Sequence, residues 1–154
     1  MKKLHLEINI NASPEVVWNA VVTDEMYRKW TDVFQPGSQS HFEGGWNKGD
    51  AIRFIGLNDK GEKEGMVSEI AESTYPEYIS IRHLGFIMNG VEDTTSDAIK
   101  KWAPSYENYT FKKNDDGTTT FILDMDATEE FYQIFSELWP KALQALKTLC
   151  ESKG

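Results

Sequence analysis

The chain opens on strict alternation: Leu4, Leu6, Ile8 and Ile10 are apolar while His5, Glu7 and Asn9 are polar, the period of a strand with one buried face. Ser13-Pro14-Glu15 then supplies a capping hydroxyl, a proline at the first helical position and an acid in the positive first turn. Val16, Val17, Trp18, Ala20 and Val21 are therefore predicted to form a short helix. Thr23-Asp24-Glu25 offers a second cap, leading Met26, Tyr27 and Trp30 into another short helix that stops before Pro36-Gly37. Residues 39 to 84 read as a β-meander. Its turns are Gly44-Gly45, Lys48-Gly49-Asp50, the Asn58-Asp59-Lys60-Gly61 loop between strands at 51–57 and 63–71, and Tyr75-Pro76-Glu77 before a strand from Tyr78 to Leu84. Residues 85 to 104 lose the alternation and carry Gly90, Asp93, Thr94, Thr95, Ser96 and Asp97, so they are expected to form an irregular, mobile excursion. A helical turn is expected near Ala98 to Trp102, with the excursion bordering a cavity entrance.

Strands resume at Tyr106 to Lys113 and Thr118 to Met125, joined by the Asn114-Asp115-Asp116-Gly117 turn. Asp126, with Glu129 three residues on, has the form of a capping box for a long helix over 127–150. Its stripe is Phe131, Ile134, Phe135, Leu138, Ala142, Ala145, Leu146 and Leu149, widened by Trp139 and Leu143. Pro140 removes one hydrogen bond from that helix and predicts a kink or break. The order of one strand, two short helices, a run of strands and one long helix defines an α+β chain. It shows no internal repeat, and a single domain over 1–154 is expected.

Composition narrows the partners. Apolar residues make up 40% of the chain and aromatic residues 12%, enough to build a core. A net charge of −9 without a basic cluster argues against nucleic acid and against anionic lipid surfaces. No stretch approaches the ~20 apolar residues of a membrane-spanning helix. The lone Cys150 and an N-terminus without a secretory pattern fit a reducing cytoplasm.

The segment Ala12-Ser13-Pro14-Glu15-Val16-Val17-Trp18-Asn19-Ala20, with Trp30 and Pro36-Gly37-Ser38, resembles the SRPBCC superfamily of START and birch-pollen-allergen-like domains. Gly65 to Ile70, Glu107 to Phe111, Gly117 to Thr120 and Trp139-Pro140-Lys141-Ala142-Leu143 extend the resemblance over nearly the whole chain. Within the superfamily, the branch it looks most like is the bacterial group similar to the C-terminal domain of the activator of the heat-shock-protein-90 ATPase. The resemblance implies a helix-grip fold, in which a curved antiparallel sheet with two short helices wraps around the long C-terminal helix, often leaving a cavity between sheet and helix. It implies no single activity.

Candidate chemistry is sparse. His5, His41 and His83 lie on different elements without metal-ligand spacing, Cys150 has no neighbouring base in sequence, and neither a metal nor a cofactor is implied. Gly44 to Gly49 lacks the Lys-Ser/Thr ending of a phosphate cradle and reads as a turn. Parity is more informative. If Ile79 and Ile81 face the long helix, so does His83, and if Tyr109 and Phe111 do, so does Glu107, whereas Arg53 and Arg82 fall on the opposite face unless a bulge intervenes. An ionisable group on an apolar face is paired, hydrated or part of a site. A satisfied structural pair and a polar anchor for a ligand both remain open. The candidate cavity is therefore Trp30, Phe54, Ile81, His83, Trp102, Glu107, Tyr109, Phe111, Leu123, Phe131, Phe135 and Trp139, with Trp30, Trp46, Trp102 and Trp139 near its mouth. Three functions are compatible: holding a small apolar or amphipathic molecule, docking on a chaperone or other protein, or acid–base catalysis by His83 and Glu107. Read as a single domain, the chain is expected to lack the separate N-terminal domain of the activators, which weighs against the chaperone role.

Overall fold

The computed structural model describes residues 1–152. Strand β1 (Lys2–Ile10) is followed by helices α1 (Pro14–Val22) and α2 (Asp24–Thr31), then by strands β2 (His41–Gly44), β3 (Ala51–Leu57), β4 (Lys63–Thr74), β5 (Tyr78–Met88) and β6 (Val91–Asp93). Helix α3 (Asp97–Trp102), strands β7 (Ser105–Lys113) and β8 (Thr119–Ala127), and helix α4 (Glu129–Glu151) complete the order. The sheet is antiparallel in the order β1-β8-β7-β5-β4-β3-β2, with β6 paired to β5, and α4 packs on one face of it. This is the α+β helix-grip arrangement. No helix among the described residues is long and apolar enough to cross a membrane.

Local chemistry explains the helix starts. The Ser13 hydroxyl accepts from the Val16 amide at 3.3 Å with Pro14 at the first position, and Thr128 and Ser96 cap α4 and α3 in the same way. The cap of α4 is thus Thr128, not Asp126. Strand β8 runs on to Ala127, paired with Lys2, and the Asp126 carboxylate bonds Lys3 and the Tyr106 amide instead. Sheet pairing outcompetes the local capping signal. Helix α4 also runs unbroken through Pro140. The proline lies on the exposed side, and Trp139, Ala142 and Leu143 beside it are buried, so tertiary packing holds the helix together across the missing bond.

Segment 85–104 is more regular than its composition suggests. Asn89 (φ 51°) and Gly90 (φ 78°) form a tight hairpin turn that folds β6 back on β5. Gly85 is required there: a Cβ on it would meet the Asp93 carbonyl oxygen at 2.0 Å. Leu84 is the extra residue of a bulge, since Val67 faces Gly85 but Ser68 faces His83. The bulge reverses the side-chain parity of β5. Ile79, Ile81 and His83 face α4 before it, and Phe86 and Met88 join that face after it, while Ile87 joins a small separate cluster with Ile55 and Val67. On that outer face Arg53 pairs with Glu92, and Arg82 with Glu69.

The main core lies between the concave face, α1, α2 and the C-terminal half of α4. Trp139, Ala142, Leu143, Leu146 and Cys150 are buried, whereas no residue from 129 to 138 is. Leu138, on the predicted stripe, is only half-buried. Leu146→Ala is therefore expected to cost ~2–5 kcal/mol in urea denaturation and Leu138→Ala under ~2 kcal/mol, reversing the order expected of two equivalent stripe positions. Burial pushes the Cys150 thiol up to about 12. In the folded protein it should not react with a thiol reagent at mildly alkaline pH, and labelling should appear only with unfolding; rapid labelling of native protein would contradict its burial.

Candidate functional site

The N-terminal half of α4 stands off the sheet and roofs a cavity of about 520 Å³. Its walls are Phe131, Phe135, Leu138 and Trp139 from α4, Tyr27 and Trp30 from α2, Phe34 after it, and Phe54, Met66 and Phe86 from the sheet. Exposed Met88 and Ile134, at 63% and 46% of their accessible surface, mark the mouth. Thr31, Gln35, Ser38, Ser40 and Glu64 contribute polar edges. Glu107 and Tyr109 also line it but are 7% and 2% exposed, so they form its buried end.

Behind Glu107 runs a closed chain of hydrogen bonds. Glu107 Oε1 lies 3.0 Å from His83 Nε2, His83 Nδ1 lies 2.6 Å from Ser68 Oγ, and the Tyr109 hydroxyl donates to Glu107 Oε2. One assignment satisfies every group: Ser68 donates to Nδ1 of a neutral imidazole, Nε2–H donates to the carboxylate, and Tyr109 donates to its other oxygen. The carboxylate is then an acceptor only. Burial, and after it the charge of Glu107, pushes the Tyr109 hydroxyl well above its ordinary range, and the same two causes raise that of Tyr27. Both phenols stay protonated at physiological pH. His83 stacks on Trp102 at 5.9 Å and Trp102 on Phe86 at 4.4 Å, and this layer lines a second cavity of about 50 Å³.

Of the predicted residues, the structure brings Trp30, Phe54, Glu107, Tyr109, Phe131, Phe135 and Trp139 to the large cavity, and His83 and Trp102 to the small one beside it. Ile81, Phe111 and Leu123 do not reach either: they are 0–2% exposed under the tightly packed half of α4, α1 and α2. Shared strand parity places them on the correct face but not at the open end. Trp46 packs with Tyr27, Phe42 and Phe54 without lining the cavity, and its indole N–H is buried without a partner. Sequence reasoning missed Tyr27, Phe34, Met66, Phe86, Met88 and Leu138 as cavity walls. The Met88-Asn89-Gly90-Val91 hairpin signal was the available clue to Met88. Ser68 carried no signal, because its role depends on the register of β4 against β5.

The Ser68–His83–Glu107 chain has the connectivity of a hydrolase triad turned around. Ser68 is 2% exposed and lines neither cavity, whereas the carboxylate faces the large one. The serine is sealed from any substrate, so acyl transfer through it is blocked. Among the described residues no group of three or more His, Cys, Asp and Glu is arranged to hold a metal ion.

The family model for Activator of Hsp90 ATPase homolog 1-like proteins matches residues 11–151. The chain belongs to that family. Solved structures agree on the fold: the AHSA1 protein of Silicibacter pomeroyi superposes with a TM-score of 0.72 at 15% identity, covering 99% of this chain and 100% of that one. A protein of Cytophaga hutchinsonii gives 0.71 at 19% identity over 99% and 96% of the two chains, and the Aha1 dimer of Colwellia psychrerythraea gives 0.65 at 16% identity over 96% and 94%. At these identities the likeness is one of fold. No curated protein matches the chain.

Glu107→Ala should leave the His83 Nε2–H and the Tyr109 hydroxyl without their acceptor and cost on the order of 1–3 kcal/mol in chemical denaturation. Glu107→Gln, which keeps one acceptor oxygen, should cost less. Equal stability of Glu107→Ala and the parent protein would mean that the cluster is hydrated rather than closed.

Proposed function

We propose that this protein holds a small, largely apolar molecule between α4 and the concave sheet. The observation that carries the reading is the 520 Å³ cavity, whose size falls within the ~300–1,000 Å³ of small-molecule sites and whose apolar walls end on one buried polar cluster. The sealed serine and the high thiol and phenol pKa values leave the cavity without an activated nucleophile, which favours binding over catalysis. Glu107 and His83 accordingly serve as scaffold and polar anchor at once, not as an acid–base pair in contact with substrate.

A second reading, docking on a chaperone or another protein, rests on the family's description and on the exposed Met88, Val91 and Ile134 near the cavity mouth. A patch that small also serves as the entrance lip of the cavity, so binding inside remains the better supported function.

Native mass spectrometry of freshly purified protein, with titration of the apolar fluorescent probe N-phenylnaphthylamine, tests the proposal. The probe should bind and raise the melting temperature, the stabilisation growing with the logarithm of its concentration once that exceeds Kd. Leu138→Trp, which adds bulk to the cavity wall, should weaken probe binding by about tenfold or more while the fold persists, a loss of ~1.4 kcal/mol or more. Unchanged binding in Leu138→Trp would place the probe elsewhere and remove the basis for the proposal.

A further inference from the structure

Resting on the cavity reading, we infer that the ligand carries a protonated amine that enters first and seats on Glu107, with its apolar body running out toward Met88 and Ile134. The polar end of the cavity has a definite sign. Among the described residues its charged lining is Glu64 and Glu107, with no lysine, arginine or histidine. The Tyr109 hydroxyl and His83 Nε2–H are both directed at the Glu107 carboxylate and so are not available to donate to a ligand. The carboxylate retains lone pairs beyond the two already used. The hydroxyls of Tyr27, Thr31, Ser38 and Ser40 and the Gln35 amide that also line the cavity are neutral, so the charge facing it is negative, and the group that complements that charge is a cationic hydrogen-bond donor. A ligand carboxylate or phosphate would meet a buried negative charge, with neutral donors but no cation among the lining residues to offset it.

The rings around Glu107 favour a cation over a neutral hydroxyl. Tyr27 and Trp30 lie 5.4 Å apart, Trp30 and Trp139 6.0 Å, Tyr109 and Trp139 6.1 Å, and Tyr27 and Phe54 6.1 Å between centroids. Five aromatic side chains in mutual contact thus line the same cavity as the Glu107 carboxylate. Aromatic faces attract ammonium groups most strongly where water is excluded. Trp30 is held for this by its own indole N–H, which donates to the Ala20 carbonyl at 3.1 Å and leaves the ring fixed. Burying an ammonium is costly in isolation, and here the carboxylate and the ring faces replace its water. The net charge of −9 acts in the same sense at long range, enriching cations near the protein.

Calorimetric titration of decylamine, decanol and decanoate at neutral pH separates the headgroup from the tail. In the parent protein decylamine should bind at least about tenfold more tightly than decanol, the scale of a charge-assisted over a neutral hydrogen bond, and decanoate should be weakest. Glu107→Gln should bring decylamine down to the affinity of decanol while leaving decanol nearly unchanged. If Glu107→Gln fails to fold, the order of the three affinities in the parent protein still decides the headgroup, and Tyr109→Phe, which keeps the carboxylate, should keep that order. Three equal affinities, a preference for decanoate, or an amine preference that survives Glu107→Gln would overturn the headgroup inference while the cavity reading stands. Binding of none of the three, with no effect of Leu138→Trp on the apolar probe, would overturn the cavity reading itself.

Discussion

Helix α4 is fastened to the rest of the protein along only half its length, and the cavity follows from that. Beyond Trp139, its C-terminal half presents Ala142, Leu143, Leu146 and Cys150, small and medium residues that let the helix approach β1, α1 and α2 closely and exclude water. Its N-terminal half presents Phe131, Phe135 and Leu138 toward a sheet face that carries Phe54, Met66 and Phe86. Large side chains on both surfaces hold the backbones apart, with the Phe86 and Phe131 rings meeting across the gap at 6.2 Å between centroids in a tilted arrangement. A protein interior that is close-packed at one end of a rigid helix and propped open at the other forms a wedge. The well-packed end supplies the stability that lets the other end remain unfilled.

The Glu107 cluster belongs to both ends. It sits where the wedge begins to open, with its hydrogen-bond partners on the closed side and its free lone pairs on the open one. Each donor behind the carboxylate stabilises its buried charge, and the neutral imidazole is in turn supplied by Ser68. A scaffold role and the proposed ligand role are therefore compatible in one cluster. The donors that make the carboxylate tolerable in an apolar interior also leave it an acceptor with a fixed direction, and its membership of the Activator of Hsp90 ATPase homolog 1-like family does not bear on that electrostatic character.

Two backbone irregularities shape the mouth. The bulge at Leu84 turns Phe86 and Met88 toward α4, and the Asn89-Gly90 turn returns β6 alongside, with Gly85 allowing the close approach. Helix α3 then lays Trp102 across Phe86 and His83, forming one wall of the second cavity. Without the bulge, Ile87 in place of Phe86 would have faced the helix.

The elements were legible in the sequence because their signals are local. Alternation at Leu4 to Ile10, the Ser13-Pro14 cap, the Asp116-Gly117 turn and the stripe from Phe131 to Leu149 each follow from neighbours within a few residues. Parity likewise put His83 and Glu107 on the inner face, since neither Ile79–His83 nor Glu107–Phe111 is interrupted. What the sequence did not carry was distance along α4 and register between strands. Ile81, Phe111 and Leu123 have the same pattern as true cavity residues and differ only in lying under the closed half of the wedge. Ser68 meets His83, and Phe86 faces inward, because of one inserted residue whose effect appears only when β4 pairs with β5. Asp126 reads as a cap until β8 claims it for β1. In each case two elements compete for, or measure themselves against, the same residue, and that contest is decided by long-range pairing and packing energies that no local pattern contains.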